Sequence, residues 1–248
     1  MIRVAVCGAN GKMGQEVVKA VLASEDMTLV AQIDIYNGQF ATIKDAKDSV
    51  KIDVLVDFTQ PDSIYENALF CLNNDIKIVI GTTGLSDIQI EELKKLSEER
   101  NVACLIAPNF STGAVLMMKF AEIASKYFEN AEIIELHHNQ KKDAPSGTAV
   151  KTAALISEGA ESFTTGNCQE KETIEGARGA SAYNNIHIHS VRMPGYMASQ
   201  EVLFGSSGQI LTIRHDSTNR ECYMPGVLLG IRYVSKHNEF VYGLDKII

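Results

Sequence analysis

Residues Glu135-Leu136-His137-His138-Asn139-Gln140-Lys141-Lys142-Asp143-Ala144-Pro145-Ser146-Gly147-Thr148-Ala149 put two adjacent histidines, two lysines, an aspartate and a Pro-Ser-Gly-Thr turn into one short run. An imidazole gives or takes a proton near neutral pH. A lysine four residues after His137 adds a fixed positive charge or a second proton donor. Ser146, Gly147 and Thr148 stand where the first free N–H groups of a helix would point outward, and such groups bind carboxylate or phosphate with help from the helix dipole. Pro145 suits a first helical turn, and Gly147 lets backbone approach a ligand closely. The chemistry implied is protonation of a small anionic substrate. The competing reading is an exposed strand-to-helix loop in which Ser146 or Thr148 is only a cap.

The flanking elements position this run. Ala131 to Leu136 reads as a buried strand and Thr148 to Ser157 as a helix, so the polar groups leave a strand end and enter a helix start. A second junction of this kind opens the chain. Ile2 to Cys7 is a β-branched strand, followed by Gly8-Ala9-Asn10-Gly11-Lys12-Met13-Gly14 and by apolar residues at helical spacing. Strand, glycine turn and helix in that order mark a dinucleotide site: Gly8 for the turn, Gly11 for the pyrophosphate, Gly14 for close packing. Asp34, at the end of the strand Thr28 to Ile33, is placed to accept hydrogen bonds from a ribose.

Strands and helices go on alternating. Strands are expected over Val54–Phe58, Lys77–Ile80 and Val102–Ala107. Helices are expected from Thr59-Gln60-Pro61 to about Asn74 and from a Ser86–Gln89 capping box to about Arg100. This implies an α/β, Rossmann-type doubly wound parallel sheet. Gly81-Thr82-Thr83 and Ala107-Pro108-Asn109-Phe110 lie at strand ends, where ligands of such sheets bind. Beyond Asn109 come a Met-rich helix (Val115 to Phe128), a long mobile loop (159–183) and strand-like runs at Ile186–Arg192, Ser199–Phe204 and Gln209–Asp216. Short spacers at Met193–Gly195 and Gly205–Gly208 suggest antiparallel meanders. This section reads as a second α+β domain with a mostly antiparallel sheet. A helix then runs from near Pro225 to Lys236, and the tail Gly243–Ile248 packs back on the first domain. The expected domains are 1–108 with 218–248, and 109–217.

At 248 residues, with 45% hydrophobic and 22% charged residues, the composition is that of an ordinary globular protein. A formal charge of −8 without a basic block argues against nucleic acid. Five scattered cysteines lack Cys-x-x-Cys spacing, which fits reduced thiols in a cytoplasm and no metal site. No apolar run approaches the ~18 residues of a membrane span, and the opening strand leaves no room for a signal peptide.

Taken together, these residues resemble the 4-hydroxy-tetrahydrodipicolinate reductase (dihydrodipicolinate reductase) family of lysine biosynthesis through diaminopimelate. The likeness rests on Val4 to Gly14, Asp57-Phe58-Thr59, Gly81 to Gly84, Ala107 to Gly113 and the His-His-x-x-Lys-x-Asp-Ala-Pro-Ser-Gly-Thr-Ala run. It implies a Rossmann domain completed by the C-terminal helix, and between its parts a domain that binds substrate and forms a homotetramer. By resemblance His137 is the proton donor and acceptor and Lys141 a catalytic proton donor. His138 contacts substrate, and Gly147 and Thr148, with Ser146 beside them, bind a substrate carboxylate. Gly8 to Met13, Asp34, Gly81 to Thr83 and Ala107 to Phe110 face the cofactor.

The implied reaction reduces a hydroxylated cyclic imine dicarboxylate, with loss of water, using NADH or NADPH. Asp34 is followed by Ile35, Tyr36 and Asn37, with no cation for a 2′-phosphate, although Lys12 could reach one; NADH is therefore expected to serve at least as well as NADPH. Ala198-Ser199-Gln200 replaces a Gly-x-His seen in some members. His187, His189, His215 and His237 are read as structural or surface histidines, and His189 and Arg192 are not taken as pocket residues. The competing functions are another two-domain dehydrogenase, for which no cysteine has a nucleophile's setting, and a non-catalytic dinucleotide sensor, which would leave the histidine–lysine run without a purpose.

Overall fold

A computed structural model describes residues 1–159, 163–164, 168 and 171–248. The chain divides into two compact units, Met1–Thr112 with Arg220–Ile248, and Gly113–Asn219.

The first unit alternates β1 (Ile2–Cys7), α1 (Lys12–Leu22), β2 (Met27–Ile33), α2 (Ile43–Ser49), β3 (Val54–Asp57), α3 (Pro61–Asn73), β4 (Lys77–Ile80), α4 (Asp87–Arg100) and β5 (Cys104–Ile106). The second unit holds α5 (Thr112–Ser125), β6 (Asn130–His137), α6 (Gly147–Gly159), β7 (Ala180–Ser181), β8 (His187–Arg192), β9 (Ala198–Ser206) and β10 (Gln209–Ser217). The chain then returns to the first unit through α7 (Met224–Lys236) and β11 (Phe240–Tyr242). No helix among the described residues is long and apolar enough to cross a membrane.

Six parallel strands form the first sheet in the order β11-β5-β4-β3-β1-β2. The centres of its strands are apolar because both faces are covered; Val4, Ala5, Val6, Leu55, Val56, Ile78, Val79 and Leu105 have no solvent exposure. The order reverses between β1 and β3, so the carboxyl ends of those two strands flank the switch point where such sheets bind ligands. Helix α7 is bound to this unit by specific contacts. Lys77 Nζ donates to the carbonyls of Ser235 (3.1 Å) and His237 (2.9 Å) at its C-terminal end. The Arg232 guanidinium holds Asp26 through two bonds of 2.8 and 3.0 Å. Two short elements carry no clear signal in the sequence. Helix α2 is seven residues long, with Thr42 capping Asp45 N–H, and β11 is a three-residue edge strand.

The second sheet has the order β10-β9-β6-β8-β7 and is mixed, mostly antiparallel. Helices α5 and α6 pack their small and apolar residues against Ala131, Ile133, Ile188, Val202 and Phe204. Met117 and Met118 are core residues, at 3% and 4% exposure. The Gly205–Gly208 spacer joins an antiparallel pair as expected. The Met193–Gly195 spacer does not: β8 runs parallel to β6, and β9 pairs with β6 on its other side, so the connection passes over one strand.

The loop expected over 159–183 falls partly on 160–162, 165–167 and 169–170, which lie outside the described residues. Past them, the Glu172 carboxylate receives the N–H groups of Gly176 and Arg178 at 2.9 Å each, and β7 pairs with β8. Local side-chain bonding orders a stretch that has no hydrophobic period.

Candidate active site

In the first unit the glycine turn meets the ends of β2 and β3. Gly8 has φ +77°, and a Cβ there would stand 2.5 Å from the Phe58 carbonyl oxygen. At Gly14 a Cβ would lie 2.0 Å from the Gly8 carbonyl oxygen, so only glycine lets α1 start this close to the strand. Helix α1 begins after Gly11 with no side-chain cap among the described residues and no acid in its first turn. Its dipole and leading N–H groups are thus available to an anion.

Asp34 stands beside this turn, its carboxylate receiving Asn10 N–H (3.0 Å) and Tyr36 N–H (2.9 Å). Gly8, Asn10, Gly11, Asp34, Tyr36, Lys44 and Thr59 line a cavity of ≈ 950 Å³ within the unit, large enough for a nucleotide half. Ala9, Ala107 and Phe110 bury their side chains and can meet a ligand only through backbone. Lys12, Pro108 and Thr83 are exposed, and Met13, Gly81 and Asn109 half-buried, at the same carboxyl edge.

One residue organises that edge. Asp57, fully buried at the end of β3, accepts from Thr59 N–H (2.9 Å), Thr59 Oγ1 (2.7 Å), Asn67 Nδ2 (2.8 Å) and Thr82 Oγ1 (2.7 Å). Its carbonyl oxygen also receives Gly81 N–H at 2.9 Å. The carboxylate therefore fixes the Gly81–Thr83 turn. In the sequence Asp57 stands in the Asp57-Phe58-Thr59 motif with nothing local to mark this role.

The buried thiols are inert. Burial pushes Cys104 up to about 12 and raises Cys7 and Cys71 as well, which leaves no reactive thiolate in this core.

In the second unit, β6 alternates so that Ala131, Ile133, Glu135 and His137 share the face covered by α5 and α6. Glu135 is fully buried and hydrogen-bonds Nδ1 of His137. Arg192, the register partner of His137 on β8, grips the same carboxylate through two bonds: Nη1 to Oε2 (2.9 Å) and Nη2 to Oε1 (2.7 Å). Ser146 N–H reaches Oε1 at 3.2 Å. Burial alone would raise this carboxyl, but its bonds to His137, Arg192 and Ser190 outweigh that and lower it to about 2.

Lys141 pairs with Asp143 at 2.8 Å. His138 is exposed, its Nδ1 accepting Gln140 N–H at 3.2 Å. Helix α6 starts at Gly147, with Ser146 Oγ accepting Ala149 N–H at 3.2 Å.

These positions revise three readings. Pro145 lies ahead of the helix instead of in its first turn. Ser146 is a cap whose N–H is taken by Glu135, which leaves Gly147 and Thr148 as the first residues of α6. Arg192 belongs to the cluster, whereas His189 pairs with Glu132 (2.8 Å) on the opposite face of the sheet. A charged residue at an inward strand position was the available signal for Glu135. Nothing local pointed to Arg192, which arrives through strand pairing.

The family profile described as dihydrodipicolinate reductase, N-terminus, matches residues 2–110, and that for the C-terminus matches 113–248. The chain belongs to the dihydrodipicolinate reductase family. As a member it is an NAD(P)H-dependent oxidoreductase. It is 49% identical to a 4-hydroxy-tetrahydrodipicolinate reductase of Gloeothece citriformis, covering 100% of this chain and 98% of that one. It is 48% identical to another of Lysinibacillus sphaericus, covering 100% and 99%. A solved structure of dipicolinate-bound dihydrodipicolinate reductase from Paenisporosarcina sp. TG-14 is similar throughout, with a TM-score of 0.93, 47% identity and full coverage of both chains. A probable dehydrogenase from Thermotoga maritima, 12% identical with a TM-score of 0.69, shares the fold alone.

Proposed function

We propose that the protein reduces (2S,4S)-4-hydroxy-2,3,4,5-tetrahydrodipicolinate to (S)-2,3,4,5-tetrahydrodipicolinate with loss of water, in lysine biosynthesis through diaminopimelate. The observation that carries this reading is the β6–α6 junction, where an imidazole tied to a buried carboxylate, a lysine and an uncapped pair of helix N–H groups stand within one loop. Residues 1–108 with 218–248 form the dinucleotide domain, and 109–217 the substrate and oligomerisation domain.

His137 protonates the ring carbon beside the one that is reduced. Lys141 holds the ring nitrogen or a carboxylate and shares in proton supply. The N–H groups of Gly147 and Thr148 bind a carboxylate, with His138 a further contact. Dipicolinate is the ligand named for the Paenisporosarcina relative, and a flat ring with two carboxylates suits this donor set.

The bound dinucleotide supplies hydride. The glycine turn and the start of α1 fit its pyrophosphate, and Asp34 fits an adenosine ribose; Gly81–Thr83 and Ala107–Phe110 flank the nicotinamide. With no cation at residues 35–37, NADH is used at least as well as NADPH. The enzyme works in the cytoplasm as a homotetramer, without nucleic acid or membrane partners.

Oxidation of NADH dependent on the cyclic dicarboxylate tests the activity, and NADH oxidation indifferent to that compound refutes it. A KM for NADPH well below that for NADH refutes the cofactor preference.

A further inference from the structure

We infer that Glu135 is the positioning residue of the reaction, acting through His137, with Arg192 as the cation that keeps it ionised in the core. The inference rests on the reading of His137 as proton donor. Both oxygens of Glu135 are engaged: Oε1 by Arg192 Nη2 and Ser146 N–H, Oε2 by Arg192 Nη1 and His137 Nδ1, with the Ser190 side chain a further donor. A carboxylate with every lone pair occupied cannot turn. Being ionised, it can only accept, so Nδ1 of His137 must donate.

That assignment fixes the imidazole plane and its tautomer together, and leaves Nε2 as the nitrogen that exchanges a proton with substrate. The negative charge also offsets the positive charge that the ring carries when Nε2 is protonated, as the carboxylate of a catalytic triad does.

Arg192 links the same group to the loop. Its Nη2 also donates to the Asp143 carbonyl at 2.7 Å, and the Asp143 carboxylate holds Lys141. One buried carboxylate thus fixes the imidazole directly and anchors the backbone next to the lysine. The cluster lies on the face of the sheet that packs against α5 and α6, where a purely structural strand would carry an apolar side chain.

Glu135→Gln tests this. An amide presents one oxygen to Arg192 and turns its NH2 toward Nδ1, which reverses the imidazole tautomer. The expected result is a kcat lower by roughly 10- to 100-fold, a part of what a general acid supplies, with KM for the dicarboxylate changed less than about threefold. The 15N signals of His137 are expected to show the proton moved from Nδ1 to Nε2.

Adding Glu135→Gln to His137→Gln is expected to cost nothing further, because one residue acts through the other; a merely structural role would make the losses multiply. Glu135→Gln/Arg192→Met removes the buried carboxylate together with its guanidinium partner, keeps the fold if the single variant does not, and is expected to remain slow. Wild-type kcat in a folded variant lacking Glu135, or multiplicative losses in the double variant, overturns the inference. Wild-type kcat in His137→Gln would instead overturn the role of His137 itself.

Discussion

At the scale of single residues, two buried carboxylates do most of the positioning, one in each unit. Glu135 sits far below the ordinary carboxylate value of 4.5, at about 2. A carboxyl whose folded value is depressed adds stability that is complete above the unfolded value and is lost as pH falls toward the folded one. Unfolding free energy is therefore expected to fall by about 3 kcal/mol from this group between pH 4.5 and 2. Urea titrations across that range should show a steeper loss in the wild type than in Glu135→Gln, and parallel losses would contradict the assignment.

Asp57 makes a different prediction, since its partners are all neutral. Asp57→Asn leaves one or more of four donors facing an amide NH2. It is expected to cost about 1–3 kcal/mol and to raise KM for NADH severalfold, leaving KM for the dicarboxylate unchanged. Steady-state kinetics with each substrate varied in turn would check this.

At the scale of elements, the sites stand where strands stop. Gly14 shows how narrow the tolerance is: Gly14→Ala would force a methyl against the Gly8 carbonyl, 2.0 Å away. The expected result is a loss of about 1–3 kcal/mol together with weaker NADH binding, read from denaturant unfolding and fluorescence titration. Full NADH affinity in this variant would contradict the packing argument.

The same scale shows what was legible in the chain. β1, β3, β4 and β5 were readable because a doubly covered strand has a β-branched or aliphatic centre with polar residues only at its ends, and α4 because its Ser86–Gln89 box is a local signal that the structure retains. β11 was not: Phe240, Val241 and Tyr242 become a strand only by pairing with Cys104, Leu105 and Ile106, far away in sequence. α2 is too short for a hydrophobic period, with only Ile43 and Ala46 buried. The parallel pairing of β6 with β8 was equally hidden, because alternation along a strand does not encode the direction of its neighbour. In the candidate site the reactive side chains announced themselves by type, while the groups that hold them, Arg192 above all, reach them across strands.

At the scale of the whole molecule, the second sheet carries an incompletely covered face. Ile134, Leu136, Val191 and Leu203 are half-buried on the side opposite α5 and α6, and Ile210 on β10 is 79% exposed. Apolar groups of this kind on an open sheet face suit association of like subunits, the arrangement proposed above as a homotetramer. Sedimentation equilibrium is expected to give four times the chain mass of 27.1 kDa, and a monomer at micromolar concentration would contradict it. The formal charge of −8 keeps the rest of the surface repulsive.

In this mechanism His137 supplies the proton for reduction of a ring whose carboxylate is held at Gly147 and Thr148. Its most direct test is kcat for His137→Ala measured beside the dissociation constant for NADH. The expected result is a kcat lower by on the order of 100-fold or more with NADH bound as tightly as in the wild type. An unchanged kcat would contradict it.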